Sequence, residues 1–390
     1  MKAYDHKGKK IKKTAIFTLL LLSMTTMMSN VAIVTALPRL QDYFKDVEDI
    51  EFYSRLMLTL PSLSIALLSP FLGHFVFRFG KKNSALIALF IFACTGSAGL
   101  YLEQIEAFLL SRAMFGISVA TLMIVSTSLV GDYFQGEKRH KFMGFQSAFM
   151  AIGGVTFVLG GGILSDINWR FPFGIYLIGL ILIPMAYFFL IEKNNENIKN
   201  DEELNIPTKL LGIYFLGFFY MLIFFILPTQ IPFLIIDGFQ ASGKVAGSII
   251  ALAFFSNALG AISFSKLKKK FSFSTIYIIA LFIIAIGFTC VGLVNNITLF
   301  YFTSPILGFG GGIMMTNVTA WMLSRTTFER RVKSSGYMTS SLFLGQFCSP
   351  IIFHPVVAYF GVQNFFEVIG GSLFLIILIT ILYIKLALKS

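Results

Sequence analysis

A chain of 390 residues in which 56% are hydrophobic, 16% aromatic and only 13% charged is too apolar for water. Globular domains carry about 25% charged residues, so most of this surface must face lipid and a water-soluble fold is excluded. A net charge of +12 would suit nucleic acid, but its placement along the chain gives it another meaning.

Residues 1–13 hold Lys2, Lys7, Lys9, Lys10, Lys12 and Lys13, and an apolar run extends from Thr14 to about Leu37. That run is longer than the 7–15-residue core of a cleaved signal peptide and suits a ~30 Å bilayer at 1.5 Å per residue. It predicts a retained first helix. Eleven further spans follow, near 55–76, 83–101, 107–130, 142–164, 172–191, 209–231, 245–265, 274–294, 298–322, 337–358 and 364–386. The predicted fold class is an all-α integral membrane protein of twelve transmembrane helices, built as two pseudo-repeated six-helix halves. The halves are 1–191 and 209–390, and the acidic, asparagine-rich stretch 192–208 is a solvated linker. A repeat supports the division. Glu137-Lys138-Arg139, Gly144 and Gly153 recur as Glu329-Arg330-Arg331, Gly336 and Gly345, at an offset of 192 residues.

Orientation follows from lysine and arginine. With the N-terminus in the cytoplasm, 25 of the 31 basic residues fall in cytoplasmic segments. Both termini are then cytoplasmic, and the basic balance is a topology signal that leaves no role for nucleic acid. Cys94, Cys290 and Cys348 lie in apolar runs without disulfide or metal spacing, so no metal and no cofactor is expected.

Several motifs resemble the major facilitator superfamily. Gly73-His74-Phe75-Val76-Phe77-Arg78-Phe79-Gly80-Lys81-Lys82 is similar to its signature loop between helices 2 and 3, and Gly260 with Lys266 and Lys268 to Lys270 is a weaker second copy. Leu109 to Gly116, centred on Arg112, is similar to the arginine motif of its proton-coupled branches. Trp169-Arg170-Phe171-Pro172-Phe173 and Leu227-Pro228-Thr229-Gln230-Ile231-Pro232-Phe233 resemble elements of its twelve-helix drug antiporters. Two departures stand out. Phe77 replaces the loop's aspartate, for which Asp132 offers a partner to Arg78 or Lys81. Helix 5 keeps Gly153, Gly161 and Gly162 of the antiporter motif but has Phe157-Val158 in place of its Gly-Pro. The resemblance implies a gating loop of Gly73, Arg78, Gly80, Lys81 and Asp132 on the cytoplasmic side.

Ionisable residues inside a membrane are costly and mark function. None of the 19 acids falls near a predicted helix midpoint. Arg112 is the one deep charge, either a cavity arginine for an anionic group or an arginine pinned to a neighbouring helix's backbone. His354 and Glu367 sit symmetrically about the helix 11–12 turn, either as a proton-carrying pair or as two interfacial residues. Asp42 and Arg55 flank the first outer loop in the same way and are expected to form a structural ion pair. The amides Asn30, Gln146, Asn257, Asn317 and Gln346 should face the bundle interior, with Tyr220 as an aromatic wall; part of this set serves only to join helices. The four dispersed histidines argue against a membrane enzyme. The expected function is secondary active, proton-coupled efflux of a small amphipathic compound that is anionic, zwitterionic or neutral, by a monomer in a bacterial inner membrane powered by the proton gradient. A proton-coupled importer of a small metabolite is the alternative.

Overall fold

The computed structural model describes residues 11–134, 136–192, 210–326 and 331–387. Lipid offers a backbone no hydrogen-bond partner, so each segment must satisfy its own amides; the described residues accordingly form helices and no strand. Twelve are long and apolar enough to cross a membrane. The first half holds α1 (Lys13–Tyr43), α2 (Ile50–Phe79), α3 (Lys81–Leu100), α4 (Ile105–Tyr133), α5 (Gly136–Ile167) and α6 (Phe171–Phe189). The second holds α7 (Leu211–Gly238), α8 (Gly243–Lys268), α9 (Phe273–Leu293), α10 (Ile297–Ser324), α11 (Arg331–Phe360) and α12 (Val362–Ala387). An even number of crossings brings both ends of the bundle to one face, called here the terminal face.

Two spans are broken. α1 passes through a short 3-10 turn at Val34–Ala36 just before Pro38. α7 stops at Phe224, restarts at Ile226 and ends in a wide turn over Leu234–Gly238. Pro228 and Pro232 each remove an amide donor there, which accounts for the break. The connections α2–α3 and α11–α12 turn on single glycines, Gly80 and Gly361, at φ +86° and +75°, a region that suits glycine.

The repeat's second glycine does the same job twice. Gly153 seats Met24 of α1, and Gly345 seats the backbone of Phe218 and Leu222 of α7. The basic tripeptides of the repeat lie outside the described side chains, and the linker does so beyond Glu192. Small residues also let α8 and α10 touch backbone to backbone, as packing in lipid favours. A methyl group on Gly308 would overlap the Ala253 carbonyl, one on Gly260 the Phe309 carbonyl, and one on Gly312 the Asn257 carbonyl. Gly312→Ala is therefore expected to destabilise the protein by about 1–3 kcal/mol, read as a lowered melting temperature in detergent. Gly371→Ala, where the added methyl meets nothing within 4 Å, is the control and should not lower it.

Candidate functional site

Three polar residues of the second half, Tyr220, Asn257 and Gln346, lie at a similar level. Gly345 lies against Phe218 and Leu222, which sets the next residue, Gln346, level with Tyr220. The buried Tyr220 faces the side chain of Asn257 on α8, and its ring lies 5.5 Å from that of Phe224 at a tilt of 33°. Around α11, at about 100° per residue, Leu344 and Ile351 are exposed, Gly345 faces α7 and His354 faces Phe52 of α2. Gln346 and Ser349 fall in the buried sector between. Each is 1% exposed, yet Gln346 Nε2 and Ser349 Oγ have no hydrogen-bond partner. Ser349 was not among the residues expected from sequence; a serine before Pro350 carries little signal by itself.

In the first half Gln146 of α5 donates to Ser23 Oγ of α1 and, at 3.3 Å, to Ser126 Oγ of α4. The two serines are 2.6 Å apart. This triad joins three helices of one half. The side chain of Asn30 lies outside the described ones.

At three places the structure selects among the readings that the sequence left open. Arg112 is fully buried and faces no seam. Its Nη2 donates to the carbonyls of Thr95 (2.9 Å) and Gly96 (2.7 Å), and Phe115, Phe173 and Tyr176 surround the guanidinium at 4.8, 5.4 and 5.5 Å. Those carbonyls end the α-helical part of α3, where the chain tightens into a 3-10 turn and the helix leaves acceptors unpaired. Arg112 is thus pinned to a neighbouring backbone. Asn317, equally buried, donates from Nδ2 to the Phe273 carbonyl at the start of α9, 3.0 Å away, so it joins α10 to α9. His354 and Glu367 do not meet. The histidine ring lies 5.5 Å from that of Phe52, while Glu367 packs on Gly292 of α9.

The halves are fastened towards the face opposite the termini. Arg55 of α2, 2% exposed, donates from Nε to Gln230 Oε1 of α7 at 3.2 Å and from Nη1 to the Glu51 carbonyl at 2.8 Å. Its guanidinium stands 4.4 Å over the ring of Phe233. Its ion-pair partner is Glu51, at 3.6 Å, which replaces the expected Asp42. Asp42 and Asp237 complete the group of charges around it. A second fastening joins α5 to α8. Asp166 accepts from the amides of Gly243 (2.6 Å) and Lys244 (2.9 Å) at the start of α8, and Arg39 of α1 holds the same carboxylate at 3.4 Å. A carboxylate on unpaired helix N-terminal amides is favourable in its own right. Just below, Gly162 meets Gly243 and Gly247 meets the Val158 carbonyl. None of these ties lies in the terminal half of the seam.

At the terminal face Lys81 Nζ pairs with Asp132 at 2.6 Å. Arg78 is exposed, and a side chain added to Gly73 would meet nothing within 4 Å. Phe77 lies outside the described side chains. A carboxylate that sequence did not suggest, Glu192, accepts from the Lys81 and Lys82 amides at the start of α3 and fills the space beside Gly80. The Tyr133 hydroxyl bridges Ile191, accepting from its amide at 2.8 Å and donating to its carbonyl at 3.0 Å.

Comparison with known proteins follows the same outline. The model of the Major Facilitator Superfamily matches residues 19–214 and 213–389. Multidrug resistance protein 2 of Bacillus subtilis is 29% identical over 148 residues, 38% of this chain and 37% of that protein. The class B tetracycline resistance protein of Escherichia coli is 26% identical over 183 residues, 47% of this chain and 45% of that protein. The matches thus span less than half the length of these two relatives. Among solved structures, a bacterial homologue of the human lysosomal transporter Spinster, inward-facing and occupied, aligns with a TM-score of 0.72 at 16% identity, covering 92% of this chain and 89% of that one.

Proposed function

Because the chain belongs to the Major Facilitator Superfamily and is a membrane transporter rather than an enzyme, we propose that it exports a small amphipathic organic compound by proton-coupled alternating access. The carrying observation is the placement of the seam's ties. Arg55–Gln230 and Asp166 on the start of α8 close the face opposite the termini, while Tyr220, Asn257 and Gln346 lie deeper on the terminal side of those ties. With the basic loops assigned to the cytoplasm, this is the inward-facing state of a transporter that loads from the cytoplasm. Relatives named for multidrug and tetracycline resistance favour export. Protons enter at the opposite face, where His354, Asp166 and the carboxylates around Arg55 stand at or beside the seam.

Inside-out vesicles of a bacterial host test this directly. Amphipathic dyes should accumulate when the lumen is acidified and leak back when a protonophore is added. Accumulation that ignores the protonophore would remove proton coupling, and accumulation only in right-side-out vesicles would reverse the direction.

A further inference from the structure

The charges within the spans of the described residues are largely committed to protein partners. Arg112 gives Nη2 to the carbonyls of α3 while its unpartnered Nε and Nη1 are shut among Phe115, Phe173 and Tyr176 inside one half, Arg55 serves Gln230 and Glu51, Asp132 holds Lys81, and Asp166 holds Arg39 and the start of α8. The level of Tyr220 is different. Asn257 and Gln346 are neutral, Ser349 lies one turn beyond on the same buried sector of α11, and two of these groups have unmet hydrogen-bonding capacity although they are 1% exposed. A buried donor without a partner is costly in a protein core and more so in a membrane, so a ligand that meets it gains what the empty protein lacks. An amide N–H and a hydroxyl that turns to suit offer hydrogens to an oxygen acceptor. A cation brought here would find no carboxylate and an anion no free guanidinium; either would lose its hydration without an ionic partner.

We propose that Gln346 and Ser349 bind an uncharged oxygen acceptor, a carbonyl, ether or hydroxyl group, of a neutral amphipathic substrate whose apolar body rests against Tyr220 and Phe224. The assignment rests on the transporter reading given above and narrows its substrate class to neutral compounds. It also separates recognition from energy coupling, since nothing at this level changes charge when a proton binds elsewhere.

The test uses one fluorescent coumarin scaffold in three forms, a neutral amide, a quaternary ammonium and a carboxylate, with the full chain purified in detergent for binding and in proteoliposomes for transport. The wild type should bind and move the amide in preference to both ions. Gln346→Leu and Ser349→Ala should each weaken the amide's apparent affinity about tenfold, with melting temperatures reported beside the affinities. Gln346→Glu should make the quaternary ammonium form a substrate, a gain that misfolding does not produce. Preference of the wild type for either ion, or an unchanged amide affinity in Gln346→Leu, as when water alone satisfies the amide, would overturn the assignment. Binding of the amide with the expected mutant effects but no gradient-driven movement would overturn the exporter reading and leave the binding site standing.

Discussion

Arg55→Ala is expected to release the face opposite the termini. The substitution removes the hydrogen bond to Gln230 and the guanidinium's seat over the ring of Phe233, both of which cross the seam between α2 and α7. It also leaves Asp42 and Glu51 of one half facing Asp237 of the other without the cation between them. A hydrogen bond to a charged group is worth about 1.5–3 kcal/mol, so the balance between the two access states should move about tenfold to a hundredfold. The check is accessibility. In a background with Cys94, Cys290 and Cys348 replaced by serine, Thr229→Cys places a thiol at a position that is 1% exposed. A membrane-impermeant maleimide applied to right-side-out vesicles should label it at least tenfold faster when Arg55 is alanine. Equal labelling rates would mean that Arg55 does not hold the seam. Arg55→Lys keeps the charge but lacks the planar fork and should fall between.

Arg112→Met should act on stability and leave substrate choice alone. The thioether fills much of the space among Phe115, Phe173 and Tyr176 but donates nothing to Thr95 and Gly96, so both carbonyls lose their side-chain donor and Thr95 keeps only the amide of Ser97. Buried acceptors left unmet cost about 1–3 kcal/mol each, so a loss of about 3 kcal/mol and a melting temperature lower by about 5 °C are expected. The order of preference among transported compounds should not change. A variant with wild-type stability and an altered substrate order would return Arg112 to the binding site.

These two arginines also show what a sequence can and cannot reveal about a membrane bundle. Their presence in apolar spans is conspicuous, because charge in lipid is costly and rare. The same economy made the twelve helices and the paired glycines at 153 and 345 legible. What a helix presents to which neighbour was not. Arg112 and Asn317 turn towards backbone carbonyls inside their own halves, and sequence spacing holds no record of which neighbour has carbonyls to spare. His354 and Glu367 flank the same turn in sequence, but α11 aims one at α2 and α12 aims the other at α9. The expected Asp42–Arg55 pair failed for a local reason. α2 starts at Ile50, after Asp49 in the left-handed region at φ +57°, so Glu51 stands one turn from Arg55 on the same helix and reaches it first. Glu192 was hidden because only the folded end of α6 brings it back to the start of α3.

The seam's fastenings crowd towards one end of helices that are each about 30 Å long across the bilayer. Two stiff bodies joined near one edge behave as levers with a long free arm. A relative rotation of about 15° would swing the far ends of the helices by about 8 Å over that length, wide enough for a small organic molecule, while Gly162, Gly243 and Gly247 near the fulcrum shift little. Mechanical advantage of this kind lets contacts as modest as a single arginine–glutamine bond decide which mouth of the protein is open.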